Sequence, residues 1–361
     1  MKRWMIGLII LLFLFGCNAE SEQVPVLTST PNQPPPTLTS APATRSAPTE
    51  PVAIIYDDDG SLDGTVALLY LLSHPLADIK AINVSYGEAH PEIYIQHLGR
   101  QLDAFGMADI PLGQGQSIPM AGNNAFPEFL RQMSNNYWGI PVPNPESTYW
   151  VERADALITY TINESPTPVT IFMTGTATNL AAALRMDKGI KKNIEAVYIM
   201  GGAIYVPGNI TALLPDSSNQ VAEWNIFADP VAAKEVFESG LQIYLVPLDA
   251  TNQISVTQMD IDLWRQGGEL AQLSADFYQK RLNDTNAIEA EIWDLMTAPL
   301  IFEPALCKFQ PLHLQVITEE GIKTGQTAVI TGEPSNAQVC LEPDVDGILQ
   351  NLARVLTSKA K

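Results

Sequence analysis

The class of fold follows from one segment, Val52-Ala53-Ile54-Ile55-Tyr56-Asp57-Asp58-Asp59-Gly60-Ser61-Leu62-Asp63-Gly64. Its first five residues are apolar or β-branched, which predicts a buried strand over 52–56. Four carboxylates follow within seven positions, and residues 63–73 then have the apolar spacing of a helix. A strand, an acidic loop and a helix in this order are typical of a βαβ unit, in which the loop lies at the carboxyl end of the strand.

The same alternation continues along the chain, so the segment belongs to a larger parallel sheet. Further strands are predicted at 79–84, 169–173, 196–200 and 242–246, and further helices at 92–105, 151–162, 178–186 and 230–238. Asp229 as N-cap, Pro230 in the first turn and Gly240 beyond the end define the last of these helices. We expect an α/β fold over residues 52–361, with one doubly wound, mostly parallel sheet and helices on both faces.

The N-terminal residues predict export and a lipid anchor. Residues 1–16 join two basic residues to an apolar run too short to span a bilayer, as in a signal peptide. Leu14-Phe15-Gly16-Cys17 is similar to the bacterial lipobox, so Cys17 is the expected lipidation site; an ordinary signal peptide is the alternative. The rest of 17–51, rich in Pro, Ser and Thr, predicts an extended linker. We therefore expect an extracytoplasmic protein, lipid-anchored to the bacterial cell membrane.

The charge of the chain excludes one class of partner. Forty acidic and 20 basic residues give a formal net charge of −20, and Lys and Arg form no basic run. Binding to DNA or RNA depends on clustered positive charge, so nucleic acid is not expected as a ligand. Of the three cysteines, Cys307 and Cys340 remain once Cys17 is assigned to lipid. A disulfide and two separate buried thiols both fit their spacing.

The acidic loop itself predicts a metal site. Carboxylates a few ångströms apart repel one another unless a cation or a proton intervenes. Calcium prefers oxygen ligands, whereas zinc prefers Cys and His, which do not cluster in this chain. The alternative is a solvated acidic turn in which Asp63 only caps the following helix.

Four motifs in fixed order connect this loop to the rest of the chain. They are Ile54 to Gly64, Thr174-Gly175-Thr176-Ala177-Thr178-Asn179-Leu180, Met200-Gly201-Gly202-Ala203 with Val206-Pro207-Gly208-Asn209, and Ala222-Glu223-Trp224-Asn225-Ile226 with Asp229-Pro230. In order and spacing they resemble the inosine-uridine-preferring nucleoside hydrolase family. The resemblance covers about residues 52–355.

The resemblance implies a role for each matching residue. Asp59 is the expected calcium ligand and general base, and Asp63 is expected to hold a ribose hydroxyl. The further expected metal ligands are Thr178, through its backbone carbonyl, and Asp294. Asn209, Glu223 and Asn225 are expected to bind the sugar. Calcium and the carboxylates would favour the positive charge that develops on the ribosyl ring in an oxocarbenium-like transition state.

One departure from the family concerns the metal. Gly64 stands where the family has a second Asp that ligates calcium. The missing ligand is expected from Asp63, which we count among the metal residues, or from Asp57, Asp58 or Glu88. A second alternative shifts the alignment by one residue, so that Asp58 and Asp63 have the spacing of the family's general base and its second calcium-binding Asp.

Two further departures concern the leaving base and the loop beside the sugar. Trp293-Asp294 stands where many members have His-Asp, so the acid that protonates the base is missing. Trp293, Trp224 and Trp138 suggest stacking on a purine instead, and His90 is another group that could reach the site. Residues 213–221 form an insertion that is either a lid or an inert loop.

Three functions fit these features. The first is calcium-dependent hydrolysis of ribonucleosides, with a preference for purines and a small-molecule nucleoside as the substrate. The second is a nucleoside- or ribose-binding lipoprotein without turnover, and the third is a hydrolase of another N-ribosyl compound. Because a binding protein has no need of a general base, Asp59 favours an enzyme. Members of the family often form homo-oligomers, so self-association is also expected.

Overall fold

A computed structural model describes residues 45–144 and 149–358. The predicted signal peptide, Cys17 and most of the predicted linker lie outside the described residues, so these predictions stay untested. Within the described ranges, no helix combines the length and apolar character needed to cross a membrane.

A nine-stranded sheet forms the centre of the described residues, in the order β10-β13-β7-β6-β5-β1-β2-β3-β4. Its strands are parallel except for β10, which runs antiparallel to β13. Two antiparallel pairs, β11 with β12 and β8 with β9, lie outside this sheet. The strands are β1 Val52–Asp58, β2 Ala77–Val84, β3 Leu112–Gln114, β4 Val151–Arg153, β5 Val169–Met173, β6 Ile194–Met200, β7 Ile243–Val246, β8 Ser255–Thr257, β9 Glu289–Glu291, β10 Cys307–Leu312, β11 Leu314–Val316, β12 Thr327–Val329 and β13 Ala337–Pro343.

Helices cover both faces of the sheet. They are α1 Leu62–Ser73, α2 Pro91–Ala104, α3 Glu128–Asn135, α4 Ala154–Glu164, α5 Thr178–Met186, α6 Ile210–Leu213, α7 Trp224–Ala228, α8 Pro230–Phe237, α9 Leu248–Thr251, α10 Gln258–Trp264, α11 Glu269–Thr285, α12 Pro299–Phe302 and α13 Val345–Leu356. Alternate residues of β1 enter different cores, as the pleat of a strand requires. Ile54 and Tyr56 pack on the face of α1, α2 and α11, whereas Ala53 and Ile55 pack on the face of α4, α5 and α8.

The predicted fold is confirmed. The five predicted strands correspond to β1, β2, β5, β6 and β7, which are adjacent parallel strands at the centre of the sheet. The helix predicted over 151–162 begins only at Ala154, because residues 151–153 pair with β3 as β4. The antiparallel strands β10 and β13 were not predicted, and a disulfide between Cys307 and Cys340 joins them with a Cα–Cα distance of 5.8 Å.

Candidate active site

The acidic loop turns sharply from β1 into α1. Gly60 has a φ of +86°, and a Cβ added there would lie 2.6 Å from the Cβ of Ala89, so the turn requires glycine. Ser61 caps α1, since its Oγ accepts a hydrogen bond from the backbone N–H of Gly64 at 2.9 Å. The cap of α1 is therefore Ser61 rather than Asp63, which leaves the Asp63 carboxylate available for other contacts.

The three consecutive aspartates at the end of β1 have different surroundings. Asp57 faces α5, where its Oδ1 accepts a hydrogen bond from Asn179 Nδ2 at 2.9 Å. Asp58 faces α1, and its two oxygens accept hydrogen bonds from Gly60 N and Thr174 Oγ1, both at 2.9 Å. The alternation of the strand thus separates Asp57 from the carboxylates on the α1 side.

Asp59 lies past the end of β1 and faces the cavity. Its Oδ2 accepts a hydrogen bond from the backbone N–H of Glu88 at 2.9 Å. Its Oδ1 has no hydrogen-bond partner among the described residues, although the side chain is only 1% exposed. A buried carboxylate oxygen without a donor is costly, so this atom is available to a ligand.

Asp63 and Asp294 are connected directly. The backbone N–H of Asp294 donates to Asp63 Oδ2 at 2.8 Å, and Ser61 Oγ donates to Asp294 Oδ2 at 2.6 Å. These bonds join the first turn of α1 to the segment after β9, which is more than 200 residues away in the chain. Asp294 is therefore held beside the acidic loop, as the family resemblance implied.

Asn209, Glu223 and Asn225 line the same cavity, and backbone groups fix their orientation. Asn209 Oδ1 accepts from Trp224 N at 3.1 Å, which leaves its amide N–H₂ free to donate. Asn225 Nδ2 donates to the carbonyls of Thr174 and Met200 at 3.2 Å, which leaves its Oδ1 free to accept. The cavity thus offers both a donor and acceptors to hydroxyl groups, as a sugar requires.

Glu223 is held by three backbone donors. Its Oε1 accepts from Asn225 N at 2.9 Å, and its Oε2 accepts from Gly202 N at 3.0 Å and Ile226 N at 3.3 Å. The carboxylate therefore caps α7 and fixes the turn after β6 while it lines the cavity. Such a carboxylate is oriented before any ligand arrives.

These groups surround a cavity of about 380 Å³. Its lining residues are Asp59, Ser61, Leu62, Asp63, Glu88, Phe126, Leu130, Trp138, Thr174, Met200, Asn209, Ala212, Leu213, Glu223, Trp224, Asn225, Tyr278, Arg281, Glu291, Trp293 and Asp294. Thr178, an expected metal ligand, is not among them. It begins α5, and its Oγ1 donates to Asp229 Oδ2 at 2.6 Å. Thr174, at the end of β5, lines the cavity in its place.

The carboxyl groups of the site hold protons more strongly than isolated ones. Burial, and then the charges of neighbouring carboxylates, raise the pKa of Asp58 to about 7 and that of Glu88 to about 8. Burial raises the pKa of Asp63 to about 6, although the N–H of Asp294 counteracts it. For the same two reasons the pKa values of Asp59 and Asp294 lie well above their usual range. So many acids cannot all ionise together unless a cation neutralises them.

The aromatic side chains lie around the rest of the cavity. Trp224 stacks on Phe126 with ring centroids 4.7 Å apart, and Trp293 donates its indole N–H to Asn252 Oδ1 at 3.2 Å. Trp138 Nε1 donates to the carbonyl of Gly60 at 3.1 Å, so it lies beside the acidic loop. Among the described residues that line the cavity, Arg281 is the one positively charged side chain.

His90 does not line the cavity, whereas the first residue of the insertion, Leu213, does. None of the four histidines, all within the described ranges, lines the cavity. His90 instead exchanges hydrogen bonds with the side chain of Asn135.

The insertion, residues 213–221, starts at the wall of the cavity, because its first residue Leu213 is a lining residue. Further along the insertion, Asn219 donates to the carbonyl oxygen of Thr324 at 2.7 Å and so fixes this segment to the rest of the fold.

Ser61, Thr174, Tyr278 and Arg281 are among the cavity residues that the sequence did not indicate as site residues. A serine directly before the first apolar residue of a helix, here Leu62, is a common N-cap signal, so Ser61 could have been recognised. Thr174 directly follows a predicted strand and belongs to a family motif, but the motif assigns it no separate role. Tyr278 and Arg281 lie on α11, one helical turn apart, and no motif distinguishes them from other helix residues.

Comparisons with known proteins show which proteins this chain is similar to. The model of the family described as "Inosine-uridine preferring nucleoside hydrolase" matches residues 54–350. A relative named pyrimidine-specific ribonucleoside hydrolase RihA, from Citrobacter koseri, is 30% identical over 320 residues, which are 84% of this chain and 97% of that protein. The solved structure of a purine-preferring ribonucleoside hydrolase from Gardnerella vaginalis is 25% identical, with a TM-score of 0.74, and the match covers 84% of this chain and 98% of that one. A plant nucleoside hydrolase structure has 25% identity and a TM-score of 0.70, over 85% of this chain and 99% of that one.

Proposed function

Since this chain belongs to the inosine-uridine preferring nucleoside hydrolase family and is thereby an N-glycosidase that acts on ribonucleosides, we propose that it is a calcium-dependent, purine-preferring enzyme that works outside the cytoplasm. The observation that carries the proposal is that Asp59 has a buried oxygen without a donor and lines a cavity together with further carboxylates. Such an oxygen suits both a cation and the proton of an attacking water.

The chemistry of the donor set fits calcium. The side chains around the acidic loop offer oxygen ligands, and neither Cys nor His lines the cavity among the described residues, so a hard cation is favoured over zinc. In the described part of the chain no three of these side chains already form a metal-coordinating group. Asp59, Asp63 and Asp294 would hold the ion, and Thr174 lies beside them to offer a backbone oxygen. When bound, calcium neutralises the carboxylates and makes a water molecule more acidic.

The residues themselves explain the reaction at the sugar. Asp59 is assigned as the general base, because it lines the cavity and its Oδ1 has no hydrogen-bond donor among the described residues. Asn209 and Asn225 orient hydroxyls with a free donor and a free acceptor, while Asp63 and Glu223 present carboxylates. These negative groups stabilise the positive charge that the ribosyl ring develops as the bond to the base breaks.

The proposed preference for purines rests on the aromatic lining. Trp138, Trp224 and Trp293 give the cavity large flat faces, and stacking strength increases with the size of the base. The names of the two relatives indicate different preferences, since one is a pyrimidine-specific and the other a purine-preferring ribonucleoside hydrolase. Arg281 adds hydrogen-bond donors without acceptors, which favours a base with a carbonyl oxygen, such as hypoxanthine or guanine, over adenine.

The disulfide supports the proposed location. Disulfides form and persist in oxidising compartments outside the cytoplasm, and Cys307 is bonded to Cys340. The signal-like residues 1–16 and the lipobox-like Cys17 point to the same location by way of a lipid anchor at the membrane. Labelling with a radioactive fatty acid tests the anchor, since the label is expected in the intact protein and not in a Cys17→Ser variant.

A panel of ribosides tests the function. The purified chain is incubated in calcium with inosine, guanosine, adenosine, uridine and cytidine, and the free base is quantified by chromatography. Inosine and guanosine are expected to have the highest kcat/KM. A higher kcat/KM for both pyrimidine ribosides contradicts the purine preference. Tight binding of nucleosides without any release of base supports the binding-only alternative, for which Gly64 and Trp293 are the motivating residues.

A further inference from the structure

The carboxylate of Asp58 occupies the space that a side chain at position 64 would need. A Cβ added to Gly64 would lie 1.9 Å from Asp58 Oδ1 and 2.9 Å from Asp58 Cγ. Real Cβ atoms do not approach other atoms this closely, and here the obstructing atom belongs to a side chain that is itself buried, with 4% exposure. A side chain at 64 and a carboxylate at 58 therefore exclude each other.

Hydrogen bonds hold Asp58 in this position. Thr174 Oγ1 donates to its Oδ1, and Gly60 N donates to its Oδ2. The Tyr56 hydroxyl lies 2.7 Å from Thr174 Oγ1 and also donates to the carbonyl of Gly64 at 2.7 Å. The network runs from β1 through the end of β5 to the first turn of α1, so the carboxylate cannot move away from Gly64 without breaking these bonds.

Asp58 also lies close to residues of the cation site. Thr174, which lines the cavity, donates its hydroxyl hydrogen to Asp58 Oδ1. A Cβ at Gly64 would lie 2.5 Å from Ser61 Oγ as well as 1.9 Å from Asp58 Oδ1. Ser61 Oγ donates to Asp294 Oδ2, so Asp58 lies on the side of the loop that holds Asp294. Asp59, whose buried Oδ1 lacks a donor, lines the same cavity as Asp63 and Asp294.

We propose that Asp58 supplies to the divalent-cation site the carboxylate that residue 64 lacks, and that Gly64 is the space in which this carboxylate fits. The inference rests on the proposed function, because it assigns a residue to the proposed calcium site. The site would then keep the same negative charge, supplied by a residue of β1 rather than by a residue of α1. A reciprocal exchange of the two residues should then preserve the site.

Calcium titration of purified, calcium-free variants tests the exchange. Isothermal calorimetry compares the wild-type chain with D58N, D58A, G64D and the double variant D58A/G64D. Loss of the Asp58 charge in D58N or D58A is expected to weaken calcium binding about ten- to a hundredfold. In the double variant the new carboxylate enters the space that Asp58 has left, so the affinity should return to within a few-fold of wild type.

The matched control is D229N. It removes a carboxylate that is also buried but caps α8 and does not line the cavity, so the calcium affinity should stay at the wild-type value. Circular dichroism of each calcium-free variant shows whether it has folded. G64D alone is expected to fold poorly because of the contact with Asp58. In that case the calcium affinities of D58A and D58A/G64D are compared, and a higher affinity in the double variant supports the exchange.

Two results overturn the inference and leave the proposed function intact. One is a wild-type affinity in D58N and D58A, and the other is a D58A/G64D double variant that binds no better than D58A. If the wild-type chain itself binds no calcium, the calcium part of the proposed function fails. The failure of the inference is therefore distinct from that of the proposed function.

Discussion

Asp59 combines two properties that rarely occur together in one side chain. It is almost completely buried, and one of its oxygens has no donor among the described residues. Since removal of a positioned general base costs about 10²- to 10⁴-fold in rate, Asp59→Asn is expected to lower kcat by about this factor. Release of free ribose from inosine measures it. Retention of more than a tenth of the wild-type kcat contradicts the assignment of Asp59 as base.

Arg281 is expected to assist the departing base, because no histidine lines the cavity among the described residues. Arg281→Gln should lower kcat/KM for inosine at least tenfold. The same variant should have nearly the wild-type kcat/KM for p-nitrophenyl riboside, since p-nitrophenolate departs without a proton or a hydrogen bond. The matched control is Arg354→Gln, whose arginine bonds Glu303 on the surface. An equal loss on both substrates contradicts a role at the base.

At the scale of residues, the sequence located the acids but not their geometry. Asp59, Asp63, Asn209, Glu223 and Asn225 were named from motifs, and all line the cavity. Thr178 was named by the same means and does not, because α5 begins at that residue and directs it towards Asp229. The position of Asp58 against Gly64 depends on the pleat of β1 and the packing of α1, and a motif contains neither.

The short helix α7 depends on one carboxylate. Glu223 accepts hydrogen bonds from Gly202, Asn225 and Ile226 and so joins the turn after β6 to the first turn of α7. In Glu223→Gln an amide N–H₂ faces at least one of these N–H donors, and such an unsatisfied buried contact costs about 1–3 kcal/mol. We expect a loss of this size in the free energy of unfolding, measured in urea.

Glu238→Gln is the matched control for that variant, since Glu238 lies at the exposed end of α8. The free energy of unfolding of this control variant should equal that of the wild-type protein. If Glu223→Gln also retains the wild-type stability, the carboxylate does not hold the two turns together.

Among the elements, those with regular apolar patterns were predicted well. The strands at the centre of the sheet are buried on both faces, so their apolar runs are continuous and easily recognised. The edge strands β3 and β4 have three residues each, too few to show a period. The antiparallel pair β10 and β13 was missed because its pairing depends on residues about 30 positions apart and on the disulfide.

The whole molecule should respond to pH and calcium together. In the folded state the pKa values of Asp58, Asp63 and Glu88 are raised to about 7, 6 and 8, whereas in the unfolded chain they lie near 4. The folded state therefore binds more protons between these values, and the calcium-free protein should lose stability as the pH rises from about 4 to 8.

Thermal unfolding at pH 5 and pH 8, with calcium and with a chelator, measures this response. The melting temperature without calcium should be lower at pH 8, and calcium should raise it more at pH 8 than at pH 5, because a cation binds the ionised carboxylates. A calcium effect of the same size at both pH values contradicts the proposed site.

The architecture of the described residues follows from the order of their strands and helices, whereas the base specificity depends on which side chains reach one cavity. The parallel order of the central strands brings the ends of β1, β5 and β6 together, and with them Asp59, Thr174 and Met200. Tyr278 and Arg281 reach the same cavity from α11, which packs on α1. Whether Tyr278 and Arg281 reach the cavity depends on how α11 packs in the tertiary structure, and the sequence of α11 does not indicate this packing.

Removal and restoration of calcium is the most direct test of a metal-assisted hydrolase centred on the buried carboxylates. The rate of ribose release from inosine is measured on the protein as purified, after dialysis against a chelator, and after calcium is added back, while circular dichroism follows the fold. We predict that chelation removes at least 99% of the rate without unfolding the protein, about 10²-fold as expected for loss of one main contribution to transition-state stabilisation, and that calcium restores it. An unchanged rate in the chelated, folded protein would contradict the role of calcium at Asp59, Asp63 and Asp294.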